Sequence, residues 1–276
     1  MRAKVAAITV VETDISSSTP DPSDVQRRNP FESGGGRYAS YRPSYPPALA
    51  QALAGCLQNR HFAVDVGCGS GQLTQLLSPL FDQVLGIDPS EDQLAQARLK
   101  AQHLSNLTFE QKPAEHTGVA AGSVDLVVAA QAAHWFDLSD FYEEVRRIAS
   151  PGGAIALVTY GVPYINHWVN TIFQQGYWQR VHEFWPPERA QVESGYADLE
   201  FPFSAIDLPF FQQSQAMTCD EFTGYITTWS AYKNALARGC RDRFEDFFAR
   251  LERAWPGSAT CEVVWPIVVR AGHVQA

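Results

Sequence analysis

Hydrophobic and polar positions fall into two rhythms over the first two thirds of the chain. Leu49, Leu53 and Leu57 recur at helical spacing behind a proline, which predicts a helix over 46–57. An apolar run from Phe62 to Val66 then stops at three alternating glycines, Gly67, Gly69 and Gly71. Gln72 to Leu77 begins a new helical pattern. A second apolar run, Val84 to Ile87, ends in Asp88, and Ser90 with Gln93 three residues on forms a capping box that opens a helix to about Leu104. Asn106 to Gln111 reads as a third strand and Val124 to Ala129 as a buried parallel strand. Asp140 to Ser150 reads as a helix, and Pro151-Gly152-Gly153 punctuates before a strand over Ala154 to Tyr160. Alternating strands and helices predict an α/β chain whose parallel sheet is covered on both faces.

Beyond Tyr160 the rhythm is lost. Residues 161–202 are aromatic and broken by prolines, which predicts an inserted cap over the carboxyl edge of the sheet. Residues 203–212 read as a sixth strand, and 219–253 as two helices separated near Gly239. Val263 to Val269 reads as the last strand, where Pro266 is tolerated only near an edge or bulge. Residues 1–36, rich in Ser, Pro, Asp and Gly over 12–36, read as a mobile tail. The expected organisation is therefore a tail over 1–36, a core over 37–160, a cap over 161–202, and a return to the sheet over 203–276.

The glycine turn carries the chemistry. Strand, glycine turn and helix form a ligand crevice at the carboxyl end of the first strand of an open α/β sheet. A dinucleotide fingerprint, G-x-G-x-x-G, needs glycine at position 72, where this chain has Gln72. An acidic residue at the tip of the second strand can hold both ribose hydroxyls of a nucleoside. G-x-G-x-G followed by Asp88 therefore favours an adenosine ligand without a pyrophosphate, and disfavours a nicotinamide-dependent oxidoreductase.

Val64-Asp65-Val66-Gly67-Cys68-Gly69-Ser70-Gly71, followed by Leu85-Gly86-Ile87-Asp88-Pro89-Ser90, resembles the class I methyltransferases that use S-adenosylmethionine. With Gln131-Ala132-Ala133-His134-Trp135-Phe136-Asp137, Tyr41-Arg42-Pro43-Ser44-Tyr45-Pro46 and Thr228-Trp229-Ser230-Ala231-Tyr232, it resembles the trans-aconitate methyltransferase-like small-molecule enzymes. The resemblance covers roughly residues 37–271 and is specific for cofactor and fold rather than for substrate. It implies a Rossmann-like, mostly parallel, seven-stranded sheet with an antiparallel last strand.

It also implies a cofactor site for S-adenosylmethionine, leaving S-adenosylhomocysteine as product. Asp65, Gly67, Cys68 and Gly69 would meet the methionine end, Asp88 the ribose and Pro89 the adenine face. Pro113 stands where many relatives carry an acidic residue for the adenine amine, so Ala114 or Glu115 would serve. Gln131 would lie beside the methionine moiety. Tyr38 and Arg42, on an arm before the first helix, would cover the sulfonium and pair with the carboxylate by charge-assisted bonds. On the acceptor side stand His134, the candidate catalytic residue for steering or proton removal, and Tyr41, Trp135, Trp178, Trp185, Tyr196 and Trp229. Phe203 and Tyr232 are further aromatic candidates. Arg180, His182, Arg189 and Lys233 are cations that could meet an acidic acceptor.

Composition narrows the partners. A formal charge of −9 over 276 residues disfavours a phosphate-tracking surface, and with it nucleic acid. Five cysteines without C-x-x-C spacing suggest neither a disulfide framework nor a metal site, and fit a reducing, cytoplasmic setting. No apolar run reaches the ~20 residues of a membrane span, and the apolar start at Val5 to Val11 is too short, and too soon followed by Glu12 and Asp14, for a secretory signal. The expected partner is a small-molecule acceptor, bound by a monomer or homodimer. Aromatic richness favours N- or O-methylation of a planar heteroaromatic or phenolic specialised metabolite. Carboxylate O-methylation and a non-catalytic S-adenosylmethionine-binding role are the alternatives.

Overall fold

The computed structural model describes residues 44–275. Along them run α1 (Pro47–Gly55), β1 (Phe62–Val66), α2 (Gln72–Leu77), β2 (Gln83–Asp88), α3 (Glu91–Ala101), β3 (Leu107–Gln111), β4 (Val124–Ala130), α4 (Leu138–Ile148) and β5 (Ala149–Tyr160). Then come β6 (Tyr164–Ile165), α5 (Asn170–Gly176), α6 (Arg189–Glu193), β7 (Ser204–Ile206), β8 (Phe211–Met217), α7 (Cys219–Thr227), α8 (Ser230–Ala237), α9 (Arg241–Ala254) and β9 (Cys261–His273). The helix boundaries follow local chemistry. Ser90 accepts the Gln93 N–H to start α3, Asp137 accepts from Ser139 and Asp140 to start α4, and Thr218 with Glu221 closes a full capping box on α7.

The sheet runs β3-β2-β1-β4-β5-β9-β6, with β7 and β8 also on β9. Strands β1 to β5 pair in parallel and β9 is antiparallel to β5, as the resemblance implies. The sheet has nine strands rather than seven. Ile267 pairs with both Tyr160 of β5 and Phe211 of β8, so these strands flank β9 on opposite edges. Val264 faces Tyr164 of β6 and Ser214 of β8, which puts β6 on the edge shared with β5; Ala271 likewise puts β7 on the edge shared with β8. The nine strands thus occupy seven positions, because two positions are each split in two.

Several boundaries move. The expected strand over 203–212 is two, β7 and β8, broken around Pro209. The expected two helices over 219–253 are three, because Trp229 takes an extended backbone (φ −70°, ψ 144°) between α7 and α8. The last strand is longer than Val263 to Val269. Pro266 lies in its interior, opposite the gap between β5 and β6, where no ladder partner is needed.

Side chains alternate across the strands, so the sheet buries two cores. Ala63, Val84, Leu126, Val128, Ala156 and Val158 face one cluster with α1, α2, α5, α7, α8 and α9. Val64, Val66, Leu85, Ile87, Val127, Ile155 and Leu157 face the other, which α4, Val192 and Tyr196 complete. Both faces are covered, so ligand access is left to the strand ends. No helix among the described residues is long and apolar enough to cross a membrane.

Candidate functional site

The three glycines after β1 all take left-handed angles, with φ of +67° at Gly67, +53° at Gly69 and +75° at Gly71. A side chain is strained at all three, and at Gly67 space excludes one as well. A Cβ on Gly67 would lie 2.5 Å from Cβ of Ala132 and 3.2 Å from Phe136, and one on Gly71 would lie 3.0 Å from Phe109. At Gly69 a Cβ would meet, among the described residues, only Gln93 Oε1, at 4.0 Å, so there they leave the backbone open to close approach by a ligand. The contact of Gly67 with Ala132 and Phe136 sets the glycine turn directly against the turn that carries His134.

Asp65 ends up buried beneath that loop. Its Oδ2 accepts from Thr74 Oγ1 at 2.6 Å, while Oδ1 is buried with no hydrogen-bond partner among the described residues. Burial pushes its pKa up to about 7, the Asp88 charge adds to the rise, and the Thr74 hydrogen bonds oppose it. An orphaned carboxylate oxygen at this depth suits a cationic ligand group. Asp88 sits at the tip of β2, where its two oxygens accept from Gly69 N at 2.9 Å and Ser90 N at 2.8 Å. Burial raises its pKa too, with the two backbone bonds opposing. A carboxylate offers about four lone-pair sites, so capacity for vicinal hydroxyls remains. These features fit S-adenosylmethionine: an approachable backbone, a buried acceptor for an ammonium, and an acidic strand tip for a ribose.

The other expected cofactor residues are placed as follows. Cys68 is buried, its N–H donates to Ile87 O at 2.9 Å, and burial holds its thiol well above the ordinary range, so it is a packing residue. Pro89 is exposed beside Asp88, and its carbonyl accepts from Gln111. Ala114 is buried, and Glu115 Oε1 caps Asp137 N at 2.9 Å. Gln131 turns toward β5: its Nε2 donates to Tyr160 O at 2.7 Å and its Oε1 accepts from Thr159 at 3.1 Å. Tyr38, Tyr41 and Arg42 lie outside the described residues.

Of the residues expected on the acceptor side, His134 and Trp135 belong to a single turn (Ala133–Trp135) just beyond β4, with ring centroids 5.0 Å apart. His134 Nδ1 lies 2.9 Å from the Tyr196 hydroxyl. Tyr196 was expected in the acceptor wall; it is wholly buried, behind His134, and burial raises its pKa above the ordinary phenol range. Trp178 was expected there as well; it is 53% exposed and lies against His182. Trp185 and Trp229 pair with centroids 5.5 Å apart, and Arg189 lies over Trp185 at 4.3 Å. In the same corner Glu193 takes Tyr177 Oη at 2.5 Å, His182 Nε2 at 3.1 Å and Arg189 Nε at 3.4 Å. Arg180 is engaged by Asp246 at 2.7 Å, away from this corner. Phe203 packs on Tyr142, and Tyr232 on Phe244.

Sequence reasoning missed Thr74 and Thr159, the hydroxyls that hold Asp65 and Gln131. Thr74 falls in the first turn of α2, where a hydroxyl facing back to β1 was a readable signal. Thr159 reads only as a strand residue. Among the described residues, no group of three or more His, Cys, Asp or Glu side chains could hold a metal ion.

The chain is similar to known methyltransferases. The family model for a methyltransferase domain matches residues 64–157, from β1 into β5. A solved structure from Anaeromyxobacter dehalogenans, assigned to the type II methyltransferases, is 39% identical, covers 85% of this chain and 99% of its own, and has a TM-score of 0.78. A Dictyostelium discoideum protein named among methyltransferases is 29% identical over 242 residues, 86% of this chain and 90% of that protein. Trans-aconitate 2-methyltransferase of Deinococcus radiodurans is 37% identical over 119 residues, 40% of this chain and 43% of that enzyme.

Proposed function

We propose, from the premise that this chain belongs to the S-adenosylmethionine-dependent methyltransferase family, that it methylates a nitrogen or oxygen of a planar heteroaromatic or phenolic small molecule. One observation carries the reading. The glycine turn after β1 abuts the turn of His134 and Trp135, so cofactor loop and acceptor residues share one strand edge.

The cofactor supplies an electrophilic methyl group on a sulfonium. Asp65 and the Gly67–Gly69 backbone would hold its methionine end, and Asp88 its ribose. His134 would orient the acceptor and take its proton, while Trp135 offers a flat face to a planar ring. Alignment by such groups is worth effective molarities up to ~10⁵–10⁸ M in well-oriented systems. A second reading, a carboxylate-bearing acceptor, is favoured by Arg189. It is largely buried, and among the described residues its one carboxylate contact is the 3.4 Å one to Glu193, while it stacks on Trp185, whose Nε1 has no hydrogen-bond partner among those residues.

Transfer of labelled methyl from S-adenosylmethionine to a panel of hydroxy- and aminoarenes, set against aliphatic di- and tricarboxylates, tests the choice. Turnover of the arenes alone supports the first reading, and turnover of the carboxylates alone replaces it with the second. His134→Ala should cut turnover roughly 10²–10⁴-fold, the range for a positioned acid–base group, with cofactor affinity unchanged. Normal turnover in that variant removes His134 from the chemistry.

A further inference from the structure

A groove lies between α5 and α9, apart from the crevice. Trp168 and α5 form one wall, and the π-helical turn Tyr177–Val181 that continues α5 carries Arg180 into it. Arg250, Arg253 and Ala254 of α9 form the other wall. The cavity holds about 310 Å³, at the lower end of the range for small-molecule pockets. The two helices can cross closely because Gly176 has no side chain; a Cβ there would collide with the Phe247 ring. None of the lining residues belongs to the glycine turn, the Asp88 strand tip or the turn of His134.

The lining is divided in chemistry. Ile172, Gly176 and Ala254 give it an apolar floor, and Trp168 stands 61% exposed beside them. An indole left that far in water offers a flat face to a planar ring. The rim is cationic. Asp246 Oδ2 pairs with both Arg180, at 2.7 Å, and Arg250, at 3.1 Å.

Among the described residues Arg253 has no carboxylate partner. Its one hydrogen bond there runs from Nε to the Ala249 carbonyl, at 3.0 Å, which leaves both terminal nitrogens for a ligand. Three guanidinium groups thus share one ion-paired carboxylate, in a chain whose formal net charge is −9. Positive charge gathered against the sign of the whole molecule favours an anion, and the planar guanidinium fork matches a carboxylate. Arg180 also sits on a π turn, a rare geometry that is frequent at functional sites. Tyr177 of the same turn is wholly buried, and its hydroxyl donates to Glu193 at 2.5 Å, so the turn is anchored.

We propose that this groove is a second binding site, for a small aromatic carboxylate. The ring would lie against Trp168 and Ile172, and the carboxylate would bridge Arg250 and Arg253. A neutral arene lacks the charge and an aliphatic carboxylate lacks the flat face, so each should bind more weakly. The probe is 2-naphthoate, added to the full chain labelled with 5-fluorotryptophan. The Trp168 ¹⁹F signal is assigned by its loss in Trp168→Phe. Saturable movement of that signal supports the proposal, provided that 2-naphthalenemethanol and acetate each need about tenfold more, or higher still, for the same shift. In the folded double variant Arg250→Gln/Arg253→Gln the naphthoate concentration at half-shift should rise about tenfold or more, the loss expected of charged hydrogen bonds. A Trp168 signal that does not move overturns the proposal, as does a shift confined to the other tryptophans, which would put the naphthoate elsewhere. Equal binding of the neutral alcohol, or unchanged affinity in the double variant, overturns it as well.

Discussion

Asp65→Asn isolates the consequence of burying a carboxylate under the glycine loop. Burial lifts Asp65 from its ordinary 3.8 to about 7, which at ~1.4 kcal/mol per pKa unit amounts to about 4 kcal/mol. The folded-state pKa lies above the unfolded one, so folding favours the protonated acid. Below pH ~4 the group is protonated in both states and costs nothing by titration. As pH rises toward 7 the unfolded chain ionises first and stability falls by up to ~1.4 kcal/mol per pH unit, then levels off. Asparagine keeps an oxygen for Thr74 and does not titrate. The stability of the variant minus that of the native chain should therefore rise by about 4 kcal/mol between roughly pH 4 and pH 8, whatever fixed cost the new amide adds. Urea denaturation midpoints with measured m-values across that range are the assay. A difference that stays flat with pH refutes the argument, because the fixed cost of the substitution cannot mimic a slope. The same carboxylate gives the functional counterpart. If its orphaned Oδ1 receives the ammonium of S-adenosylhomocysteine, binding near pH 6 must release a proton, seen as a dependence of calorimetric heat on the ionisation enthalpy of the buffer.

Two further substitutions probe the same crevice. Gly67→Ala should destabilise the chain by about 1–3 kcal/mol, since its Cβ would lie 2.5 Å from Ala132 on a backbone of φ +67°; an unchanged urea midpoint would show that the turn yields easily. Asp88→Ala should weaken S-adenosylhomocysteine binding by about 1–3 kcal/mol with NAD remaining without measurable affinity; calorimetry giving equal affinity in native and variant chains would remove Asp88 from the ribose site.

What was legible in the sequence was what local rules dictate. The β1 run, its glycines and Asp88 announce a strand, a left-handed turn and an acidic strand tip within about 25 residues, a span over which periodicity and glycine geometry are sufficient. β8 was misplaced because Phe211 to Met217 is mostly polar, taking its partners from β9 rather than from any hydrophobic alternation of its own. The break at Trp229 carries no glycine or proline and was invisible. Aromatic richness over 161–202 could not say which rings face inward. Trp178 is on the surface, and Tyr196 meets His134 across 62 residues of sequence. Long-range partnership of that kind is a property of the assembled fold, and no local pattern encodes it.

The position of β9 bears on how the protein comes into being. Its thirteen residues (Cys261–His273) pair with β5 and β6 on one edge and with β7 and β8 on the other. During synthesis everything from β1 to α9 emerges before this strand. Until it arrives, β5 has an apolar edge with no neighbour, the kind of edge that recruits other chains. The pairing of β5 with β9 spans more than a hundred residues, a separation that slows folding. The nascent polypeptide is thus most vulnerable to aggregation just before its last strand is made, and chaperone protection at that stage should govern the yield of folded protein more than the stability of the finished sheet.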